Sequence, residues 1–301
     1  MFSWFGVDMS KQSRFYNDGT ERKLQAIEKY LQRYLLVFKN QPNRKTIYVD
    51  AFAGTGELPL ARKPQSELFT DQLDADTIIS GSALRALSLQ QKFSSYIFID
   101  ERAAKIEELK RRLAENGHLS QDIRYIKGNA NVELAKLCPE LSHQNVRAVV
   151  FLDPYGNQVG WDLLQKLAAT KNVDLWYLFP AFLGVYRQIG NKSAKMTPEQ
   201  ENSISFVLGP NNWRDAFIER EQGIDLFGPT EVAQKIADVE DITRYMIKSM
   251  KNIYKGGVND SWLPLGRDGA HWYSLIFAMA NPSPPAVRLG QELAKHIMTH
   301  T

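Results

Sequence analysis

From Thr20 to Lys39 the apolar residues Leu24, Ile27, Leu31, Tyr34, Leu35 and Phe38 recur at steps of three and four and mark one helical stripe. The spacing predicts a single amphipathic helix. After Pro42 the pattern changes to short apolar runs, Thr46–Val49, Tyr96–Ile99, Ile123–Ile126, Ala148–Leu152 and Val173–Phe179, most of them rich in β-branched and aromatic residues. Runs of this kind read as buried strands. Stretches with helical spacing separate them at Gly81–Lys92, Arg102–Asn116, Asn131–Leu137 and Trp161–Thr170. Strand and helix in alternation imply right-handed crossovers. The expected fold is therefore α/β, a doubly wound, mostly parallel, Rossmann-like sheet with an N-terminal helix and a helical C-terminal elaboration.

One stretch breaks the rhythm. Leu58–Ser80 carries Pro59, Pro64, several acids and little periodicity where a doubly wound fold starts its first crossover helix, so it reads as a long functional or mobile loop. Ser80 or Ser82 is placed to cap the helix that follows. Past Pro180 the chain reads as mostly helical to about residue 255, punctuated by Pro198, Pro210 and Pro229, with a last helix from about Thr230 to Lys255 that stops at Gly256-Gly257. Val258–Leu263 and Trp272–Ala280 then suggest a hairpin across Gly266-Arg267-Asp268-Gly269 that extends the sheet at its edge, before a closing helix from about Pro285 to Met298. These changes divide the chain into a basic helical segment (1–45), an α/β core (46–180), a helical elaboration (181–255) and terminal strands plus helix (256–301).

Composition narrows the class without choosing a chemistry. The 301 residues carry a formal charge of +3 and are 44% hydrophobic, an ordinary globular balance. The longest apolar stretches, such as Ala148–Leu152 and Leu275–Ala280, fall far short of the ~18 residues that span a bilayer, so no membrane segment is expected. The start Met1-Phe2-Ser3-Trp4-Phe5-Gly6 does not read as a secretory signal. A single cysteine, Cys138, rules out an internal disulfide framework and any zinc site built from several cysteines, and points to a reducing, cytoplasmic compartment. The first 45 residues hold nine Lys/Arg against four acids, a locally basic end that suits either a solvated face or a nucleic-acid contact.

Candidate chemistry gathers at strand ends. Val49-Asp50-Ala51-Phe52-Ala53-Gly54-Thr55-Gly56-Glu57 closes the first strand. Its two glycines let backbone approach a ligand, and Asp50 sets a carboxylate at the carboxyl end, where α/β sheets bind ligands. The second strand ends in Asp100-Glu101. An acid there is placed to accept hydrogen bonds from ribose hydroxyls, although it stands 44 residues after Gly56 rather than the usual ~20, unless the insertion loops out. Either acid could instead cap the next helix. The third strand leads into Gly128-Asn129-Ala130-Asn131, where Asn129 or Asn131 could contact an adenine ring or cap the following helix. The fourth gives Leu152-Asp153-Pro154-Tyr155-Gly156, a carboxylate, a turn-fixing proline and an aromatic ring.

Asp-x-Phe-Ala-Gly-x-Gly resembles the first motif of class I S-adenosylmethionine-dependent methyltransferases, and Asp153-Pro154-Tyr155 resembles the Asp/Asn-Pro-Pro-Tyr/Phe motif of those that modify exocyclic amines of bases, with one proline absent. A similar Asp-Pro-Phe-Gly form occurs in some transfer-RNA guanine methyltransferases. The resemblance implies that Gly54 and Gly56 admit the methionine portion of the cofactor, Asp50 holds its amino group, Asp100 the ribose and Asn129 the adenine, with Phe52 lining the loop. It implies that Asp153 and the Pro154 carbonyl hold the acceptor amine while Tyr155 stacks on the base. Across residues 20–190 and 270–298 the chain further resembles the three-Cys-motif partner protein family, TcmP. The helix with Tyr30 and Tyr34, Gly81-Ser82-Ala83, Leu178-Phe179-Pro180 and Tyr273–Ala278 carry that likeness. It implies a companion protein bearing three cysteines.

For DNA or RNA the candidates are Arg187, Lys192 and Lys195 after the fifth strand, and Arg244, Lys248 and Lys251, which share a helix face with Lys255. The leading expectation is a methyltransferase acting on an amine of a nucleic-acid base, with no metal. The alternatives are an inactive methyltransferase-fold partner subunit, or Asp50, Asp100 and Asp153 converging on a divalent ion.

Overall fold

A computed structural model of the protein describes residues 9–59, 78–118, 120–190, 196–210, 212–225, 228–266 and 269–301. Its strands are β1 (Lys45–Asp50), β2 (Glu57–Pro59), β3 (Ile78–Ser80), β4 (Ser95–Asp100), β5 (Ile123–Lys127), β6 (Val146–Leu152), β7 (Val173–Phe179), β8 (Ile218–Asp225), β9 (Gly228–Lys235), β10 (Leu263–Leu265) and β11 (Tyr273–Met279). The helices are α1 (Met9–Phe38), α2 (Ser82–Ser88), α3 (Ala103–Glu115), α4 (Ala130–Leu141), α5 (Trp161–Ala169), α6 (Pro198–Leu208), α7 (Trp213–Phe217), α8 (Val239–Ile253) and α9 (Pro284–Thr299), with a short π-helical segment at Ala181–Tyr186.

Seven strands form one sheet in the order β10-β11-β7-β6-β1-β4-β5. The pairs from β7 to β5 are parallel, and β11 runs antiparallel to both β7 and β10. The sheet is doubly wound, as its sequence pattern predicts. Burial on both faces explains why β4 and β7 read as unbroken runs, since every one of their residues is buried. Alternate side chains enter two different cores. Ile47, Val49, Ile97, Val150 and Leu175 meet α4, α5, α6 and α8, an aliphatic layer. Tyr48, Tyr96, Phe98, Phe151 and Trp176 meet α1, α2, α3 and α9, an aromatic one. In that layer Tyr30 of α1 lies 5.3 Å from the Trp176 ring and 5.0 Å from Phe277, and its hydroxyl donates to the buried Asp174 carboxylate at 2.6 Å.

Several sequence expectations change. The segment 181–255, expected to be mostly helical, also holds two paired strands, β8 (Ile218–Asp225) antiparallel to β9 (Gly228–Lys235), and its long helix starts at Val239, capped by Asp238, rather than at Thr230. The terminal hairpin exists, but its first strand is Leu263–Leu265, and Val258 makes only an isolated bridge to Ala278. The helix expected to end at Leu137 runs on through Pro139, since the fully buried Leu141 anchors its last turn. Neither Ser80 nor Ser82 caps α2; the capping position is Gly81, and the Ser82 hydroxyl is engaged elsewhere. Among the described residues, no helix is long and apolar enough to cross a membrane.

Candidate functional site at the carboxyl edge of the sheet

The chain winds outward from β1 to β4 and β5, then crosses back to lay β6 and β7 on the other side of β1. The carboxyl ends of β1 and β6 therefore flank the point where the winding reverses, the place where open α/β sheets form a ligand crevice. Asp50 and Asp100 end β1 and β4, and Asp153 follows β6 directly, so three carboxylates from distant parts of the sequence end adjacent strands.

The glycine loop is hung between these strands. Ala51 N–H donates to the Phe151 carbonyl at 3.1 Å, Ala53 N–H to the Ile99 carbonyl at 3.0 Å, and Gly54 N–H to Asp100 Oδ2 at 3.2 Å. Gly54 has φ +62°, and a methyl group there would meet nothing nearer than a carbonyl at 4.0 Å, so it would project into open space. Gly56, at φ +82°, is different: a methyl group would strike Leu109 Cδ1 at 2.7 Å, so its lack of a side chain lets α3 pack against the loop. The long gap between Gly56 and Asp100 resolves in space. β2 and β3 pair antiparallel and Gly81 N–H donates to the Gly56 carbonyl at 2.7 Å, so the two ends of the insertion meet. Residues 60–77 of that insertion lie outside the described residues.

Asp50 is fully buried. Its Oδ1 accepts Phe52 N–H at 3.1 Å and its Oδ2 accepts the Ser82 hydroxyl at 2.5 Å. Burial pushes its pKa up to about 7, against the two hydrogen bonds, with the Asp153 charge adding to the rise and Lys23 opposing it. Phe52 is half-buried against the aliphatic core. Asp100 accepts Gly54 N–H on one oxygen and Arg102 N–H at 2.9 Å on the other, with Lys105 Nζ 3.4 Å away. The helix-capping alternative holds for Asn129, whose side chain accepts Asn131 N–H at 3.0 Å at the start of α4. Asn131 stitches two loops together, donating to the Gln158 carbonyl at 2.7 Å and accepting Gly160 N–H at 2.8 Å.

Beyond β6, Pro154 is buried and Tyr155 is 80% exposed, its ring open to solvent. Asp153 is half-buried and bonded at 2.5 Å to Lys23 Nζ of α1, an ion pair whose lysine side chain is only 11% exposed. Lys23 and Ser82 were not expected at the site. The signal for Lys23 is its position: 23, 27, 30 and 34 fall at steps of four, three and four, so it interrupts the apolar stripe of its helix. The three carboxylates do not converge on an ion position. Asp50 and Asp100 are held mainly by backbone and hydroxyl donors and Asp153 by an ammonium, and among the described residues no group of three metal-ligating side chains occurs.

The basic candidates separate. Arg187 is exposed just past the π-helical segment that leaves β7, on this same edge. Lys192 and Lys195 lie outside the described residues. On α8, Arg244 pairs with Glu240 at 2.8 Å and Lys251 with Asp260, so much of that face is neutralised, while Lys248 is exposed. His271 bonds Ser274 Oγ at 2.7 Å, and burial lowers its pKa, as befits a structural histidine. Burial raises the Cys138 thiol.

The fold and this edge define an α/β protein with a ligand crevice at its winding reversal. No family model and no curated protein matches the chain. Solved structures similar to it include protein LPL1258 from Legionella pneumophila, 12% identical, with a TM-score of 0.45 over 91% of this chain and 92% of its own. An S-adenosylmethionine-dependent methyltransferase from Clostridium acetobutylicum is 13% identical, TM-score 0.32, covering 83% of this chain and 91% of its own. An rRNA methylase from Streptococcus thermophilus is 11% identical, TM-score 0.30, covering 70% and 94%. At TM-scores below 0.5 these likenesses carry no weight for the chemistry, which has to come from the chain's own residues.

Proposed function

We propose that the chain is an S-adenosylmethionine-dependent methyltransferase whose acceptor is an exocyclic amine of a nucleic-acid base. The observation that carries this reading is the join between the glycine loop and Asp100, made by the Gly54 N–H bond across the reversal point, with Asp153 beside it. The donor set suits the cofactor. Its sulfonium and ammonium are cationic and the edge presents three carboxylates, while Gly54 leaves open space where a side chain would stand. Asp100 would accept from ribose hydroxyls, Asp50, fully buried beneath the glycine loop, would reach the ammonium through a bridging water, and Asn129 lies at the mouth of the β5–α4 loop. When bound, the cofactor supplies a methyl group already activated as a sulfonium.

The protein's part is then alignment and exclusion of water. Asp153 and the Pro154 carbonyl accept the N–H groups of the amine and aim its lone pair. The exposed Tyr155 ring offers a stacking face worth about 1–3 kcal/mol per base. Arg187 stands where a substrate phosphate would pass. Because Lys23 occupies Asp153 Oδ2, an acceptor amine has to share or displace that contact.

Calorimetry with S-adenosylmethionine and S-adenosylhomocysteine, followed by radiolabelled methyl transfer to DNA and RNA, tests the reading. Asp100→Ala is expected to weaken cofactor binding. Asp153→Ala is expected to leave binding intact and cut transfer by about 10²-fold or more. Native transfer by Asp153→Ala would remove that residue from the mechanism, and no cofactor binding by the native chain would remove the reading. The three-cysteine companion implied by the sequence resemblance is tested by co-purification with this chain.

A further inference from the structure

On the opposite edge of the sheet the turns before β1, β6 and β7 and the exit of β11 border a wide, solvent-open hollow of about 570 Å³. Its lining includes Arg44, Arg147, Lys171, Ser142, Asn145 and Thr170, and none of its lining residues is an acid. The size is within the range of small-molecule sites.

The cations here are brought together rather than spread apart. Arg44 Nη1 and Arg147 Nη1 both donate to the Gln144 carbonyl, at 2.5 and 3.2 Å. Arg147 also donates to the Val146 carbonyl at 2.6 Å and to Asn172 Oδ1 at 2.8 Å. Every one of these acceptors is neutral. The two guanidiniums therefore repel across a shared oxygen, and burial together with the Arg44 charge lowers the pKa of Arg147. The carboxylate that faces Arg147 is Asp174, which is buried outside the hollow, accepts the Tyr30 hydroxyl at 2.6 Å and has its pKa pushed up to about 7 by burial. Lys171 adds a third charge from a backbone position with φ +60°, where glycine is the residue of least strain.

Two adjacent guanidiniums and an ammonium with no acid among them make a receptor for a doubly charged oxyanion. We infer that this hollow is a phosphate-binding site for a nucleotide, either free or as part of a single strand. The inference does not rest on the methyltransferase reading, since the two sites lie at opposite ends of the strands.

The test uses the full chain at low salt, with pyrophosphate, AMP, ADP and a short fluorescent oligothymidylate as probes. Arg44→Gln, Lys171→Gly and the double variant are compared with the native chain. Lys171→Gly removes the charge while relaxing its backbone, so folding is not at risk there, and thermal melting checks the others. Affinity is expected to fall about tenfold or more in the double variant, as when charge-assisted bonds to phosphate are lost. For the strand, the dependence of log affinity on log salt is expected to flatten by about 0.7 per lost contact. Tighter binding of ADP than of the strand identifies a free nucleotide, and the reverse identifies a strand. Unchanged affinity in the double variant, loss only in the Asp100→Ala variant at the other end of the strands, or no binding of any probe at millimolar concentration overturns the inference.

Discussion

Buried acids at the two ends of the sheet set a pH dependence. Asp174 and Asp50 are both raised by burial from an ordinary carboxylate value to about 7. Between about pH 4 and pH 7 the folded chain keeps a proton on each that the unfolded chain has released. Their contribution is therefore fully present below pH 4 and is lost as pH rises through 7. Asp174→Asn keeps an acceptor for Tyr30 and is expected to flatten this decline without abolishing it. The native loss is about 1–4 kcal/mol per group at 1.4 kcal/mol per unit of separation. Urea midpoints across pH 4 to 8 measure it, and parallel native and variant curves would refute the assignment to Asp174. At this scale the sequence showed Asp50, Asp100 and Asp153 plainly, because each ends an apolar run. The pairings that hold Asp50 and Asp153 were not legible, since Ser82 lies 32 residues from Asp50 and Lys23 lies 130 from Asp153, although the place of Lys23 in its helix's apolar stripe marks it as unusual.

Among elements, the loop after β1 gives a paired test. Gly54→Ala meets only the left-handed backbone and is expected to cost about 1–2 kcal/mol. Gly56→Ala meets the same penalty and a collision with Leu109 as well, so its cost is expected to be larger by about 1–3 kcal/mol. Denaturation of the two variants checks the order, and equal losses would mean that α3 yields freely. Strands buried on both faces were legible from composition alone, with β7 matching its expected bounds at both ends. The β8–β9 hairpin was not. Its sequence Ile218–Lys235 is largely polar, with no regular alternation of apolar residues, so nothing in its periodicity distinguished it from the helices on either side. The start of α8 is a related case, where the reciprocal bonds of Asp238 and Asp241 decide the boundary and Thr230 does not.

Taken as a whole, the molecule is strapped by its first helix. α1 holds α2 through Arg85, paired with Glu21 at 2.6 Å and Glu28 at 3.2 Å, reaches the last residue through Arg22 and Lys29, and touches the candidate active site through Lys23. Lys23→Met preserves the stem and removes the ammonium. It is expected to lower the acceptor KM several-fold with cofactor affinity unchanged, whereas an unchanged KM would show that the acceptor does not meet Asp153 Oδ2. Another long-range tie is β11, which pairs with β7 across roughly a hundred residues of chain, Ser274 opposite Phe179 and Met279 opposite Asp174. Such separation slows folding, because the loop must close before the pairing rewards it. On a ribosome the consequence is sharper. A nascent chain that has not yet released residue 273 presents the largely apolar edge of β7 with no partner, an invitation to association with other chains. Chains stalled short of β11 are expected to be degraded by protease and to recruit chaperones, and chains held on an added C-terminal linker long enough to release α9 from the ribosome are expected to resist both.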